Sequence, residues 1–260
     1  MLCSLISGSS GNSSLVTYKN TKILIDCGMS CKRLEGQLAK LGMSPADVSA
    51  IMVTHEHIDH ICGVGVVSRK YNLPIFATEQ THNAMNIGTI SNDNICIIEP
   101  DRLFTVGDII INAFSIPHDA AAPVGYRFFC GEKKYCVATD IGLMTDVIFD
   151  SISGSESVII EANHDIPTLK NGSYPERLKE RILSNSGHMS NELCANTVLA
   201  LTKRGTKRIM LAHLSEENNT PELAYDTVKS QLEGIDDIEL VVADRYEVTL
   251  FDKHKHYLRG

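Results

Sequence analysis

The sequence predicts an α/β protein, and three observations carry that reading. Short apolar runs rich in Val, Ile and Leu, such as 22–26, 50–53, 158–164 and 207–215, have the length and composition of strands. Longer, more polar stretches of helical length alternate with them, among them 30–41, 175–183 and 220–232. Metal-competent side chains gather where several of the apolar runs end, which is where open α/β sheets build their sites. No Pro/Gly/Ser linker divides the chain, so a single domain is expected over 1–260.

Residues 2–6 read as the first strand. They lack the basic flank and long apolar stretch of a signal peptide. Ser7-Gly8-Ser9-Ser10-Gly11-Asn12-Ser13-Ser14 follows. Small residues of this kind let a backbone approach a ligand closely, so Ser9, Asn12 and Ser13 are candidate phosphate contacts, beside the plainer reading of a hairpin loop. Strands are expected over 15–18 and 22–26, the second ending in Asp26. That carboxylate can accept the outward N–H of a ligating imidazole, or cap the helix expected over 30–41.

The strand at 50–53 runs into Thr54-His55-Glu56-His57-Ile58-Asp59-His60. Side chains alternate along an extended segment, so His55 and His57 point the same way and begin a metal site. Asp59 and His60 follow where the chain must turn, and can face a second metal beside the first. Neutral imidazole with carboxylate suits Zn, Mn or Fe. A solvated polar turn is the bland alternative, but four such groups this close seldom mean only that.

Next come a helix over 61–70, a strand over 73–77 and a helix over 79–86, on which His82 stands alone and is expected to be structural. Strands are expected over 95–98 and 109–116, the second delivering Pro117-His118. Hairpin arms over 126–130 and 134–138 lead to Asp140, whose plainer role is to cap a helix over 144–151. The run 158–164 carries Glu161 and His164 into a polar end. Ser186-Gly187-His188-Met189-Ser190-Asn191 opens a helix over 192–201 with Ser190 as its N-cap, and places His188 on a turn from which it can reach. His213 stands near the end of the strand at 207–215. A helix over 220–232 has Pro221 in its first turn, and strands over 239–243 and 247–251 follow. His254 and His256, in the basic tail 253–259, are expected to be solvated.

The 260 residues are 43% hydrophobic and 22% charged, enough for a sizeable core. No apolar run approaches the length of a membrane helix. The eight cysteines are scattered without a CxxC pair, which points to buried thiols and a cytoplasmic setting; Cys27 and Cys31 bracket a turn but lack the paired spacing of a structural zinc site. The formal net charge of −8 disfavours a long duplex-DNA footprint. Cations facing Asp59 and Asp140 would lessen the repulsion a phosphate meets.

The segment 55–60 matches the HxHxDH signature, and through it the chain resembles the metallo-β-lactamase superfamily of metallohydrolases over nearly its whole length. That resemblance, not periodicity, implies a four-layered αββα sandwich with the metals at one edge of the two sheets. It implies two divalent ions, Zn or Mn: His55, His57 and His118 at the first, Asp59, His60 and His213 at the second, and Asp140 bridging. Asp26 would stand behind a ligand, and Glu161 would orient one. No serine or cysteine nucleophile is then needed, because two ions about 3.5–4 Å apart activate a shared water.

Within the superfamily the chain is most similar to the YycJ/WalJ group of bacterial proteins. The similarity rests on the Gly/Ser loop at 7–13, on Ile25-Asp26-Cys27-Gly28, on the histidine cluster, on Glu161-Ala162-Asn163-His164, on Ser186-Gly187-His188-Met189-Ser190-Asn191 and on Ala212-His213-Leu214-Ser215. The group resembles 5′→3′ DNA exonucleases with a proposed repair role. The expected reaction is therefore phosphodiester hydrolysis on DNA that is single-stranded or has a free 5′ end, with no membrane involvement and protein partners left open. Asp59 would serve in catalysis as well as ligation, and His188 or His164 would protonate the leaving oxygen. Lys203, Arg204, Lys207 or Arg208 would hold flanking phosphates. True β-lactamases place a cysteine where this chain has Asp140. The insertion of the β-CASP nucleases does not fit the roughly 70 residues between Asp140 and His213, and the long arm of the tRNA-processing nucleases is not found. A glyoxalase II-like thioesterase shares the ligand set and is the alternative.

Overall fold

A computed structural model describes residues 1–251; the tail with His254 and His256 lies outside the described residues. The first part of the chain forms β1 (Leu2–Ile6), β2 (Ser13–Tyr18), β3 (Thr21–Ile25), α1 (Cys31–Lys40), β4 (Ala50–Met52), α2 (Ile58–Ile61), α3 (Val64–Tyr71), β5 (Ile75–Ala77), α4 (Glu79–Ala84) and β6 (Ile95–Ile97). The second part forms β7 (Leu103–Val106), β8 (Ile109–Ser115), β9 (Val124–Cys130), β10 (Lys133–Ala138), α5 (Asp146–Ile152), β11 (Ser157–Glu161), α6 (Ile166–Asn171), α7 (Glu176–Leu183), α8 (Asn191–Thr202), β12 (Arg208–Ala212), α9 (Pro221–Gln231), β13 (Glu239–Val242) and β14 (Thr249–Leu250).

These strands make two seven-stranded sheets, ordered β14-β1-β2-β3-β4-β5-β6 and β13-β12-β11-β10-β9-β8-β7. Each sheet is antiparallel in one half and parallel in the other, with the change at β3 in the first and at β10 in the second. Apolar side chains fill the space between the sheets, with Ile23, Ile25 and Met52 from one meeting Ile111, Tyr126 and Ile159 from the other. Leu34 and Leu38 of α1 and Val64 and Val67 of α3 cover the outer face of the first sheet. Ile148 of α5, Val198 of α8 and Val228 of α9 cover the second. The result is the four-layered αββα sandwich. Burial on both faces explains why the parallel strands read as unbroken apolar runs.

The parallel strands of both sheets leave their carboxyl ends at one edge. There β3 delivers Asp26, β4 delivers Thr54 to His60, β10 delivers Asp140, β11 ends in Glu161 and β12 delivers His213. Several boundaries differ from expectation. The helix predicted over 61–70 is α3, starting at Val64 after Gly63, and a separate single turn, Ile58–Ile61, precedes it and carries Asp59 and His60. A Cβ on Gly63 would meet Met29 O at 2.0 Å, and Gly63 N–H donates to Cys27 O at 2.9 Å, so the chain is pressed against the loop after β3. The strand β7 and the helix α6 were not predicted.

A backbone seam joins three loops at this edge. Asn12 N–H donates to Asp59 O (2.8 Å), Gly28 N–H to Asn12 O (2.8 Å) and Cys27 N–H to His60 O (2.8 Å). A Cβ on Gly28 would lie 1.7 Å from Asp59 O, so only glycine lets the seam close. Gly28→Ala is expected to lower the unfolding free energy by about 1–3 kcal/mol and to loosen metal at the Asp59 side. Denaturant unfolding together with elemental analysis checks both effects; wild-type values for both would contradict the close packing.

Candidate metal centre

Two triads of ligand atoms face one another at the sheet edge. The ligating atoms of His55, His57 and His118 lie within 4.8 Å of one another, as do those of Asp59, His60 and His213, and those of His55, His60 and Asp140. Asp140 therefore stands between the triads.

Hydrogen bonds behind four of the five imidazoles decide which nitrogen is free. Asp26 is buried, and its Oδ2 accepts the Thr54 hydroxyl proton (2.8 Å) and lies 2.8 Å from His60 Nδ1. His60 therefore carries its proton on Nδ1 and turns Nε2 inward, 3.4 Å from both Asp59 Oδ2 and Asp140 Oδ2. Because Thr54 gives its proton to Asp26, its oxygen accepts from His55 Nδ1 at 3.0 Å, and His55 Nε2 is left inward. His118 Nδ1–H donates to Gly187 O (3.0 Å), leaving Nε2 3.3 Å from His57 Nδ1. Such partners fix the tautomer of a ligating histidine and raise its basicity.

Glu161 serves the other side. Its Oε1 accepts from His213 Nδ1 and His188 Nδ1, both at 2.8 Å, and its Oε2 accepts from the backbone N–H groups of Ile141 (2.7 Å) and Met189 (3.0 Å). Four donors satisfy a fully buried carboxylate. His213 Nε2 is left 3.5 Å from Asp59 Oδ2. Asn12 Nδ2 donates to the same Asp59 oxygen (3.1 Å), and Ser7 Oγ accepts the His213 backbone N–H (2.7 Å).

Burial alone would push Glu161 up, but the charge and hydrogen bonds of His188 and His213 outweigh it and hold the carboxyl at about 2. Burial would lower His213, yet Asp140, with Asp59 and Glu161, raises it to about 10. His60 is likewise raised, by Asp140, Asp59 and Asp26 against burial. His55, surrounded by other imidazoles, is pushed well down by burial and by His60. Three residues here, Asp26, Asp140 and His213, have positive φ of 56°, 61° and 57°. Left-handed backbone at a non-glycine costs on the order of 1–3 kcal/mol and is kept where a site requires it.

The chemistry of the donor set fits divalent cations. His55 Nε2 and Asp140 Oδ2 are buried without a hydrogen-bond partner and point among imidazoles and carboxylates, which is the environment a cation satisfies. All seven residues expected as ligands come together. Asp26 and Glu161 stand behind imidazoles, and the cap of α1 is Ser30 rather than Asp26. Thr145, not Asp140, caps α5.

Other expectations are corrected. Ser13 is buried and its hydroxyl donates to Asp26 O (2.8 Å), and the Asn12 amide is committed to Gly8 and Asp59; both shape the site rather than offering a phosphate contact, and of the three loop candidates only Ser9 is exposed. The His164 ring is buried with neither nitrogen partnered, and burial lowers it to about 4, so the ring is neutral near neutrality, which disfavours it as the acid. Arg208 begins β12, the strand whose far end delivers His213, and pairs with Glu156 and Glu239, so the basic group at 203–208 faces away from the centre. The roles of Thr54 and Ser7 were missed. Their only signal was hydroxyl side chains beside the motif and in the first loop.

Comparison with known proteins identifies the family. Residues 21–214 match the family described as the beta-lactamase superfamily domain. The chain is 43% identical over 236 residues to the exodeoxyribonuclease WalJ of Streptococcus pneumoniae serotype 2, covering 89% of this chain and 88% of that one. The chain belongs to the WalJ/YycJ family of the metallo-β-lactamase superfamily. A second member, the exodeoxyribonuclease YycJ of Bacillus anthracis, is 42% identical over 231 residues, 88% of each chain. Among solved structures, Zn(2+)-bound PqqB from Methylobacterium extorquens superposes with a TM-score of 0.70 at 14% identity, over 95% of this chain and 99% of that one, and shares the fold.

Cations must displace the protons that the surrounding carboxylates hold on His60 and His213. Both folded-state values lie above the ordinary imidazole range, so these protons are present at neutral pH and are lost only as pH rises. Metal affinity of the WalJ/YycJ-type centre is therefore expected to rise between pH 6 and pH 8 with net proton release. Calorimetric titration of the metal-free protein in buffers of different ionisation enthalpy measures it; pH-independent binding without proton release would contradict the assignment. Glu161→Gln is expected to weaken metal binding about 10–100-fold, read by chelator competition.

Proposed function

We propose that the chain hydrolyses phosphodiester bonds of DNA as a 5′→3′ exonuclease, with two divalent cations, Zn or Mn, at the centre. The observation that carries the reaction class is the pair of triads facing the buried Asp140, whose Oδ2 accepts no hydrogen bond. The substrate class is supported by the exodeoxyribonuclease relatives, which match the chain over nearly nine-tenths of its length. When bound, the two cations supply Lewis acidity to the phosphoryl oxygens and lower the pKa of the attacking water.

The side chains perform the rest. His55, His57 and His118 would hold the first cation and Asp59, His60 and His213 the second, with Asp140 between. Thr54, Asp26, the Gly187 carbonyl and Glu161 keep His55, His60, His118 and His213 in one tautomer and orientation. As the water oxygen joins phosphorus and the bond to the leaving sugar oxygen breaks, that oxygen needs a proton. We assign its delivery to His188. Glu161 accepts the His188 Nδ1–H and so orients the ring; the His188 side chain is 19% exposed, and its ring lies 5.0 Å from that of His118 and 5.2 Å from that of His213. The net charge of −8 supports contact with a strand end or a single strand rather than a long duplex. Eight unpaired cysteines suit a reducing cytoplasm, and trimming of 5′ ends suits DNA repair.

The decisive experiment gives metal-loaded protein 5′-phosphorylated single- and double-stranded DNA, a glutathione thioester and a chromogenic β-lactam. Shortening of DNA from its 5′ end is expected. Thioester turnover without DNA degradation would replace this reading with the glyoxalase II-like one. His188→Gln is expected to lower kcat on DNA by about 100–10,000-fold while both cations stay bound; full activity would remove His188 from proton transfer.

A further inference from the structure

The turn between β13 and β14 carries a second feature at the same edge. Asp244 Oδ1 accepts the backbone N–H groups of Tyr246 (2.7 Å) and Glu247 (2.9 Å), and the Asp244 N–H donates to Thr249 Oγ1 (2.9 Å). The turn is therefore held in one shape. Asp244 O accepts the Ser7 N–H (3.1 Å), and Ser7 Oγ in turn accepts the His213 N–H (2.7 Å), so one residue links the turn to a ligand. The Arg245 side chain lies across the first loop: a Cβ on Gly8 would be 3.3 Å from its Nε and 3.5 Å from Leu214 O. On its other side Gly8 is bonded to Asn12, which holds Asp59. Arg245 thus sits on the rim beside the second triad, two residues removed from Asp59.

Next to it, the Tyr246 ring is half exposed, at 53%, with the Arg33 guanidinium 5.4 Å from the ring centroid. Arg33 also donates to Arg245 O (3.4 Å), and Gln37 Nε2 to Tyr246 O (2.6 Å). A guanidinium beside an aromatic ring braced by a second guanidinium is the pairing that single-stranded nucleic acid uses: cation for a phosphate, ring face for a base. Glu216, exposed and three residues beyond His213, occupies one Arg245 nitrogen (Nη1–Oε1 3.1 Å).

We propose that Arg245 and Tyr246 form a subsite for the nucleotide adjoining the scissile phosphate of single-stranded DNA, with Glu216 as an internal competitor for the Arg245 guanidinium. The phosphate displaces the Glu216 carboxylate from Arg245, while the base stacks on the outer face of Tyr246. The subsite rests on the nuclease reading given above and goes beyond it in naming the strand contacts. It also accounts for a basic rim on a chain of acidic net charge: the cations needed for one nucleotide are concentrated beside the metals instead of being spread over a face.

The test compares the metal-loaded enzyme on 5′-phosphorylated oligothymidylate with bis(p-nitrophenyl) phosphate, a diester too small to reach the rim. Arg245→Gln and Tyr246→Ala are each expected to raise KM for the oligonucleotide about tenfold with kcat held within about twofold, and to affect the small diester several-fold less. Glu216→Gln is expected to lower KM for the oligonucleotide. Lys203→Gln makes the same charge change as Arg245→Gln at the far end of α8 and is expected to leave KM at the wild-type value. Wild-type KM in Arg245→Gln and Tyr246→Ala, equal losses on both substrates, an unchanged or raised KM in Glu216→Gln, or a parallel rise in Lys203→Gln would each overturn the subsite. A wild-type enzyme that turns over the small diester but no DNA would overturn the nuclease reading and the subsite together, an outcome distinct from failure of the variants alone.

Discussion

Two buried carboxylates, Asp26 and Glu161, set the geometry on which the site depends. Each lies behind the ligands. Asp26 receives Thr54 and His60 and, through the Thr54 hydroxyl, His55; Glu161 receives His213 and His188. A buried carboxylate is tolerated only when its oxygens are satisfied, and both are, by side chains that must then turn their remaining nitrogens the other way. The hydrogen bonds that stabilise the acids are the same ones that aim the imidazoles.

The fold places these acids where they can act. Asp26 leaves the last antiparallel-paired strand of one sheet, Glu161 ends a central parallel strand of the other, and the sandwich brings the two edges together. The cost is concentrated in the backbone. Asp26, Asp140 and His213 leave their strands in left-handed conformation, and Gly28 and Gly63 allow loops to touch main chain to main chain. The apolar layers on either side of both sheets hold these strained exits in place.

The candidate ligands on the contiguous motif were legible because four donors crowd into six residues at the end of an apolar run. His118, Asp140 and His213 stand alone in sequence, and only the superfamily resemblance joined them to the cluster. Strand interiors such as 50–53 and 158–161 were legible for their unbroken apolar character. The strand Leu103–Val106 was not, because it is a short edge strand with an alternating, partly exposed pattern and Leu103 turned outward. The helix Ile166–Asn171 is only six residues long; its signal was Asp165 as N-cap with Pro167 in the first turn. The composition of the loop at 7–14 suits a phosphate contact as well as a plain hairpin loop. Side-chain direction, which composition does not carry, turns Asn12 and Ser13 inward. The rim at Arg245 and Tyr246 had no local signature, since it arises from a turn meeting a loop more than two hundred residues earlier in the chain.

The central claim is that paired acids behind the imidazoles create two adjacent cation sites sharing Asp140. Anomalous diffraction from crystals grown with Zn or Mn tests it most directly. Two peaks about 3.5–4 Å apart, one amid His55, His57 and His118 and the other amid Asp59, His60 and His213, with Asp140 touching both, is the predicted result. A single peak, or a pair in which Asp140 touches neither ion, would contradict it.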